Sequence, residues 1–242
     1  MESSKTYDFK KGEVLLVDKP LHWTSFDVVN KLRYPLKKKY KIKRFKVGHA
    51  GTLDPLATGL LVICTGKMTK QINGFVVDNK EYTGVIQLGS TTPSYDLETE
   101  IDHVFNTDHI TQDLIDKVKE QFIGEIKQIP PIFSAKKVDG QRAYDLARKG
   151  INVELKENDI TILSLDLTLL GNNQIRFIVN CSKGTYIRSL AHDIGKALDS
   201  GGHLIELRRT HSGKFVIEDA KTIEEWVEII NDTEILEEHN SD

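Results

Sequence analysis

Thr161–Leu198 reads TILSLDLTLLGNNQIRFIVNCSKGTYIRSLAHDIGKAL, and its hydrophobic period changes partway along. Leu163, Leu165, Leu167 and Leu169 alternate with polar positions, and Ile175, Phe177, Val179 and Cys181 repeat that period of two. This predicts two half-buried strands, paired antiparallel. Ile187, Leu190, Ala191, Ile194, Ala197 and Leu198 then take the i, i+3, i+4, i+7 spacing of one helix face, closed by Gly201 and Gly202.

Working outward, Glu13–Val17 reads as a short buried strand. Thr24, Ser25 and Asp27 offer helix-start chemistry for Phe26–Arg33, which Pro35 should stop. Gly48–Gly59 is turn-rich, Leu60–Cys64 strand-like, and Lys67–Val77 helical in character. Strand returns at Glu81–Leu88, helix at Ile110–Phe122, and Arg142–Lys149 is a short helix ending at Gly150. Pro130 and Pro131 keep Ile129–Ala135 out of any helix interior. Strands and helices without regular β-α-β alternation favour an α+β domain on a mixed, largely antiparallel sheet.

The 242 residues are 39% hydrophobic and 29% charged, with 17 Gly and 6 Pro, a composition unlike disordered or low-complexity chains. No stretch approaches the roughly 18 apolar residues of a membrane span, and Met1–Gly12 lacks the layout of a secretory signal. A cytoplasmic protein is expected. Cys64 and Cys181 form no Cys-x-x-Cys pair, which suits a reducing compartment. The net charge of -3 is unevenly placed: Ile217–Asp242 holds ten acids against Lys221 alone, leaving the rest at +6. Lys31, Arg33, Lys37, Lys38, Lys39, Lys41, Lys43, Arg44 and Lys46 follow one another with no acid between Val28 and Leu53, a run able to hold a polyanion.

Motif spacing excludes several chemistries. Gly66-Lys67 lacks the frame of a phosphate-binding P-loop, no Gly-x-Gly-x-x-Gly follows a strand, and neither His-Glu-x-x-His nor a zinc deaminase pattern occurs. No cofactor and no metal are expected. The segment Gly48-His49-Ala50-Gly51-Thr52-Leu53-Asp54-Pro55-Leu56-Ala57-Thr58-Gly59 instead describes a tight loop holding one carboxylate, Asp54.

That segment resembles the catalytic loop of the tRNA pseudouridine-55 synthases of TruB type. Further blocks follow in order: Val17-Asp18-Lys19-Pro20 with Thr24-Ser25, Lys80-Glu81-Tyr82, Pro130 to Lys137, Gly140 to Tyr144, Cys181 to Arg188, and Leu207-Arg208-Arg209. The resemblance runs from Gly12 to about Phe215. It implies the pseudouridine synthase fold and isomerisation of the T-loop uridine of tRNA, position 55, by base flipping and exchange of the C1′ bond. Asp54 is then the essential carboxylate, Arg188 the arginine holding it ionised, and Tyr186 the tyrosine below the base, able to take the C5 proton. Tyr82 stacks on the base, Leu207 lines its pocket, and His49 occupies or props open the space that flipped bases leave. Lys19, Lys70, Lys136 and Arg208 are phosphate or loop-support contacts.

The sequence departs from the family at Ala50, where threonine is usual, and at Thr91–Glu100 (TTPSYDLETE), where Asp96 is the best counterpart of a family aspartate. The expected domains are an N-terminal extension over 1–12, a catalytic domain over 13–216, and an acidic helix and tail over 217–242 in place of a PUA domain. The expected partner is the tRNA T arm, with no membrane, no obligatory protein partner and a monomeric enzyme. A non-catalytic RNA-binding module has no need of Asp54, Tyr82, Tyr186 and Arg188 together.

Overall fold

A computed structural model of the chain describes residues 6–76, 79–134, 137–138, 141–142 and 155–235. In chain order these form β1 (Val14–Lys19), α1 (Ser25–Lys39), β2 (Val47–Ala50), β3 (Ala57–Thr65), α2 (Ile72–Val76), β4 (Lys80–Leu88), β5 (Ser90–Thr91), β6 (His103–Val104) and α3 (Gln112–Lys119). There follow β7 (Gly124–Gln128), β8 (Lys137–Val138), β9 (Gln141–Arg142), β10 (Asn158–Leu170), β11 (Gln174–Cys181), α4 (Ile187–Ala197), β12 (Gly202–Ser212), β13 (Phe215–Val216) and α5 (Ile223–Asp232). The helix expected over Arg142–Lys149 lies outside the described residues beyond Arg142 itself. So do Gly150, Ala135, Lys136, Gly140, Ala143, Tyr144 and the tail from 236 to 242. The α+β class read from the sequence is the observed one. The pairs β1/β3, β2/β3, β4/β11, β10/β11 and β7/β10 are antiparallel, and a parallel bridge joins Val17 to Lys221.

The chain divides into two compact units, Met1–Asp78 with Arg208–Asp242, and Asn79–Leu207. In the first, β3 is the central strand and is buried from Leu60 to Thr65, reading as the continuous apolar run of a strand covered on both faces. It pairs with β1 from Val14↔Cys64 to Lys19↔Gly59 and with β2 from Val47↔Thr65 to Ala50↔Val62. Strand β12 also neighbours it, with Arg209 against Gly59 and Leu60. At Gly59, φ is +99° and a Cβ would meet the Arg209 carbonyl oxygen at 2.4 Å, so only glycine admits that backbone.

Helix α1 starts on a capping box, Thr24 with Asp27, as its sequence suggested. It does not stop at Pro35 but runs on to Lys39. Proline removes the hydrogen bond to the carbonyl four residues earlier, at a cost of about 3 kcal/mol. Burial of Leu32, Pro35 and Leu36 on one face offsets that loss and carries the helix one more turn. Lys31, Arg33 and Lys37 to Lys39 are therefore helical, and only Lys41, Lys43, Arg44 and Lys46 of the basic run lie beyond the helix. Helix α5 packs within this unit by burying Ile223, Trp226 and Ile230. The Trp226 indole donates to the Leu16 carbonyl at 2.8 Å, and the Lys221 amide donates to the same oxygen at 3.0 Å.

In the second unit the strands lie in the order β4-β11-β10-β7, and Glu206 of β12 lies against Gly84 of β4. The alternation of Ile175, Phe177, Val179 and Cys181 is observed as expected, all four being buried. That of β10 is not. The register with β11 steps from Ile162↔Cys181 to Ser164↔Asn180, so Leu163 is the extra residue of a bulge and is 50% exposed. Ile160 and Ile162 face the core before it, Leu165 and Leu167 after it. Helix α4 buries Ile187, Leu190, Ala191 and Ile194, while Ala197 is exposed. The strands β2, β7 and β12 lack a period-two signal: β7 is half exposed on an edge, and β12 carries charged and polar residues on much of its length.

Candidate active site

Asp54 sits in the loop between β2 and β3, half-buried, with backbone held on either side. The buried Ser25 hydroxyl accepts from the Leu53 amide at 2.9 Å and donates to the Leu53 carbonyl at 3.1 Å. On the other side the His22 amide donates to the Pro55 carbonyl at 2.8 Å, with His22 itself at φ 66°. The Ala57 amide closes the turn onto the Asp54 carbonyl at 3.1 Å. Residues 53 and 55 are thus fixed independently, which leaves the Asp54 backbone little freedom.

Beneath the loop lie two fully buried cations. Lys19 is 0% exposed, and its ammonium donates to the carbonyls of Pro20 at 2.9 Å and Trp23 at 2.7 Å. Burial pushes it down to about 8; the Asp54 carboxylate opposes that fall and Arg209 adds to it. Of the two roles expected for Lys19, phosphate contact or loop support, a side chain with no exposed surface fits loop support. Arg209, read from the sequence only as part of a motif block, is 1% exposed. It donates from Nε to the Leu60 carbonyl at 2.7 Å and from Nη2 to the Gly51 carbonyl at 3.2 Å. Arg208 holds Asp18 in a two-pronged pair, at 3.0 and 2.7 Å. His49 on β2 is held below its ordinary pKa, first by burial and then by Arg209, so its ring is neutral at pH 7. Its Nδ1 is buried without a hydrogen-bond partner. Lys70 is exposed in the 3-10 turn Gly66–Gln71.

The same unit carries a strongly basic cavity of about 490 Å³, lined by Arg33, Lys37, Lys43, Arg44 and Lys46 together with Phe45, Val47, Gly48, Thr69 and Ile72. No acid lines it. Lys38 and Lys39 are not among its walls, and the Lys39 ammonium donates to the Asn231 carbonyl at the end of α5.

The remaining candidates belong to the second unit. Tyr82 lies on β4 opposite Val179 of β11 and is 8% exposed. Leu207 is half-buried at the end of that unit's share of β12. Tyr186 is the N-cap residue of α4, half-buried, and its side chain makes no capping bond. Arg188, in the first turn of α4, is 5% exposed. Its Nε lies 3.6 Å from Asp96 Oδ2, and its terminal nitrogens donate to the carbonyls of Ser94 at 3.3 Å and Phe133 at 2.9 Å. The family-divergent loop is ordered by its own side chains. Thr92 and Ser94 hydroxyls donate to the Asp96 carbonyl, the Ser94 amide donates to Thr99, and the Glu98 amide donates to Asp96 Oδ1. Its effect is to present Asp96 to Arg188.

Sequence reading gave Ser25 and Arg209 only as members of motif blocks, with no role for either at the loop, and missed Gln128 altogether. Gln128 donates to the Tyr186 carbonyl at 3.1 Å and accepts from its amide at 2.8 Å. Their common signal is burial of a polar side chain, which a sequence does not display. Among the described residues no cluster of His, Cys, Asp or Glu is able to hold a metal ion, and no helix is long and apolar enough to cross a membrane.

Comparison with known proteins gives concordant matches. The sequence model described as TruB family pseudouridylate synthase (N terminal domain) matches residues 37–187, and that of the tRNA pseudouridylate synthase B C-terminal domain matches 188–239. A protein of Phocaeicola vulgatus named tRNA pseudouridine synthase B is 56% identical over 230 residues, covering 95% of this chain and 98% of that one. One of the same name from Flavobacterium johnsoniae is 56% identical over 214 residues, covering 88% of this chain and 93% of its own. Among solved structures, a chain in a Cbf5-Nop10-Gar1 complex superposes with a TM-score of 0.68 at 30% identity. The match covers 91% of the present chain and 54% of the solved one, so the present chain spans about half the length of that relative.

Proposed function

Since the chain belongs to the TruB family of pseudouridylate synthases, we propose that it isomerises the T-loop uridine of tRNA, position 55, with Asp54 as the carboxylate on which the ribose chemistry turns. The reaction breaks the N1–C1′ bond and forms the C5–C1′ bond. The proton lost from C5 is matched by one gained at N1, so product and substrate are isomers and no oxidant or reductant is consumed. Asp54 acts either as nucleophile at C1′ or as base toward the ribose, and both routes need it ionised and fixed in place. The observation that carries the reading is the double restraint on the loop, Ser25 on Leu53 and His22 on Pro55, with Asp54 between them.

The other roles come with the family resemblance. Tyr82 stacks on the flipped base, a contact worth about 1–3 kcal/mol. Tyr186 receives the C5 proton and Leu207 lines the base pocket; the resemblance makes Arg188 the cation for the carboxylate, and the ion pair it makes within its own unit is with Asp96. His49, as a neutral ring, fills space in the RNA without adding charge, and Lys70 reaches a phosphate. The basic cavity takes the phosphate backbone of the T arm. The enzyme works as a monomer in the cytoplasm, on tRNA without a guide RNA or a protein partner.

The test is pseudouridine formation in unmodified tRNA, read by mass spectrometry after chemical tagging because the product has the mass of the substrate. Asp54→Asn should bind tRNA as the parent does and form no pseudouridine. Turnover within about tenfold of the parent, against the 10²-fold or larger losses expected for a reacting group, would overturn the assignment.

A further inference from the structure

Helix α4 begins in an unusual way. An N-cap position favours Ser, Thr, Asp or Asn, whose side chains bond the helix's first free amides. Here it is Tyr186, whose side chain does no capping. The residue nonetheless has a precise extended conformation, φ −96° and ψ 108°, with its carbonyl accepting the first helical bond from Leu190 at 3.1 Å. In extended backbone the amide and carbonyl of one residue point to the same side, so a single planar group with one donor and one acceptor can hold both. A glutamine amide is such a group.

We infer that Gln128 is a positioning residue for Tyr186, its carboxamide gripping the tyrosine's own N–H and C=O and so fixing where the phenol stands during the reaction. The inference rests on the reading of Tyr186 as a reacting group. Gln128 ends β7 and is 2% exposed, so water does not compete for its two bonds. Its backbone is anchored by pairing with Asn158 of β10. The chain beyond it adds two more ties to the same helix start: the Ser189 hydroxyl donates to the Ile129 carbonyl at 2.7 Å, and Arg188 donates to the Phe133 carbonyl at 2.9 Å. Pro130 and Pro131 stiffen the intervening segment. The start of α4 is thereby built from outside, and the side chain of residue 186 is excused from capping.

The experiment is a double-mutant cycle on the full-length protein, reading single-turnover pseudouridine formation at saturating tRNA alongside tRNA affinity and thermal midpoint. Gln128→Leu should lower the single-turnover rate by about one to two orders of magnitude, the scale of a 1 Å misplacement, with affinity held within about twofold. In a Tyr186→Phe background the same substitution should cost less than about threefold, because it acts through a group already removed. Equal losses in both backgrounds, or a loss confined to affinity, overturn the inference. Parent-like turnover by Tyr186→Phe overturns the reading of Tyr186 itself, whereas parent-like turnover by Gln128→Leu beside an impaired Tyr186→Phe overturns the positioning role alone. Should Gln128→Leu not fold, Gln128→Met carries the same cycle, since it keeps the unbranched length in the buried site and removes both the donor and the acceptor.

Discussion

One hydroxyl, that of Ser25, makes both of the polar bonds that tie Leu53 to the start of α1, at 2.9 and 3.1 Å. Ser25 is 2% exposed and Leu53 3%, so neither bond has water as an alternative. The residue next along the chain is Asp54, and the placing of the proposed catalytic carboxylate therefore depends on a side chain 29 residues away.

Ser25→Ala removes both bonds and leaves a buried amide and carbonyl unpaired, which costs about 1–3 kcal/mol for each group so stranded. The expected outcome is a lower urea midpoint together with a single-turnover rate reduced by about tenfold or more, at unchanged tRNA affinity. Loss of stability with a parent-like rate would show that Asp54 is held well enough from the Pro55 side.

Trp226→Ala tests the role of α5. The indole is 4% exposed, donates to Leu16 and meets the Tyr7 ring edge-on at 5.6 Å. Truncation should cost about 3–5 kcal/mol, the range for a large buried aromatic. A Trp226→Ala protein as stable as the parent would mean that α5 is dispensable to the first unit.

How much of this could be read beforehand depended on the kind of signal. The pairing of β10 with β11 and the buried face of α4 were legible because their apolar residues keep strict periods of two and of three to four. The bulge at Leu163 was not, because a bulge shifts phase without changing composition, and Leu163 is as apolar as its neighbours. Pro35 misled for a related reason: its local cost is visible in the sequence, while the burial of Leu32 and Leu36 that outweighs it is a tertiary fact. Asp54 stood out through its glycines and threonines. Ser25 and Arg209 in the first unit and Gln128 in the second are common residue types whose roles appear only when their partners, distant in sequence, are brought to them.

Asp193 on α4 gives a pH signature. Burial pushes its carboxyl from 3.8 up to about 6, with Lys196 opposing. A folded-state value above the unfolded one means the protonated form is favoured by folding. The stabilisation is full below about 4, and it is lost as pH rises through 6. The parent should thus lose up to about 2–3 kcal/mol across that window from this group. Asp193→Asn cannot ionise, so relative to the parent it should gain stability from pH 4 to pH 7 in urea unfolding. A difference between the two that does not change with pH would show that Asp193 titrates normally.

The basic cavity makes a prediction about salt. Lys37, Lys43 and Arg44 line it, whereas Lys38 does not, although the four are close in sequence and alike in charge. Each phosphate neutralised on binding adds roughly 0.9 to the slope of log affinity against log salt for duplex nucleic acid, with A-form RNA similar in order. Replacing Lys37, Lys43 and Arg44 by Gln should therefore weaken tRNA binding and flatten that slope by about one to three. The single Lys38→Gln change should leave the slope nearly as it was. Neither set touches a residue assigned to the chemistry, so the single-turnover rate at saturating tRNA should hold in both. If the triple variant keeps the parent's slope, the cavity does not meet the phosphate backbone, and the affinity for tRNA must come from other surfaces of the enzyme.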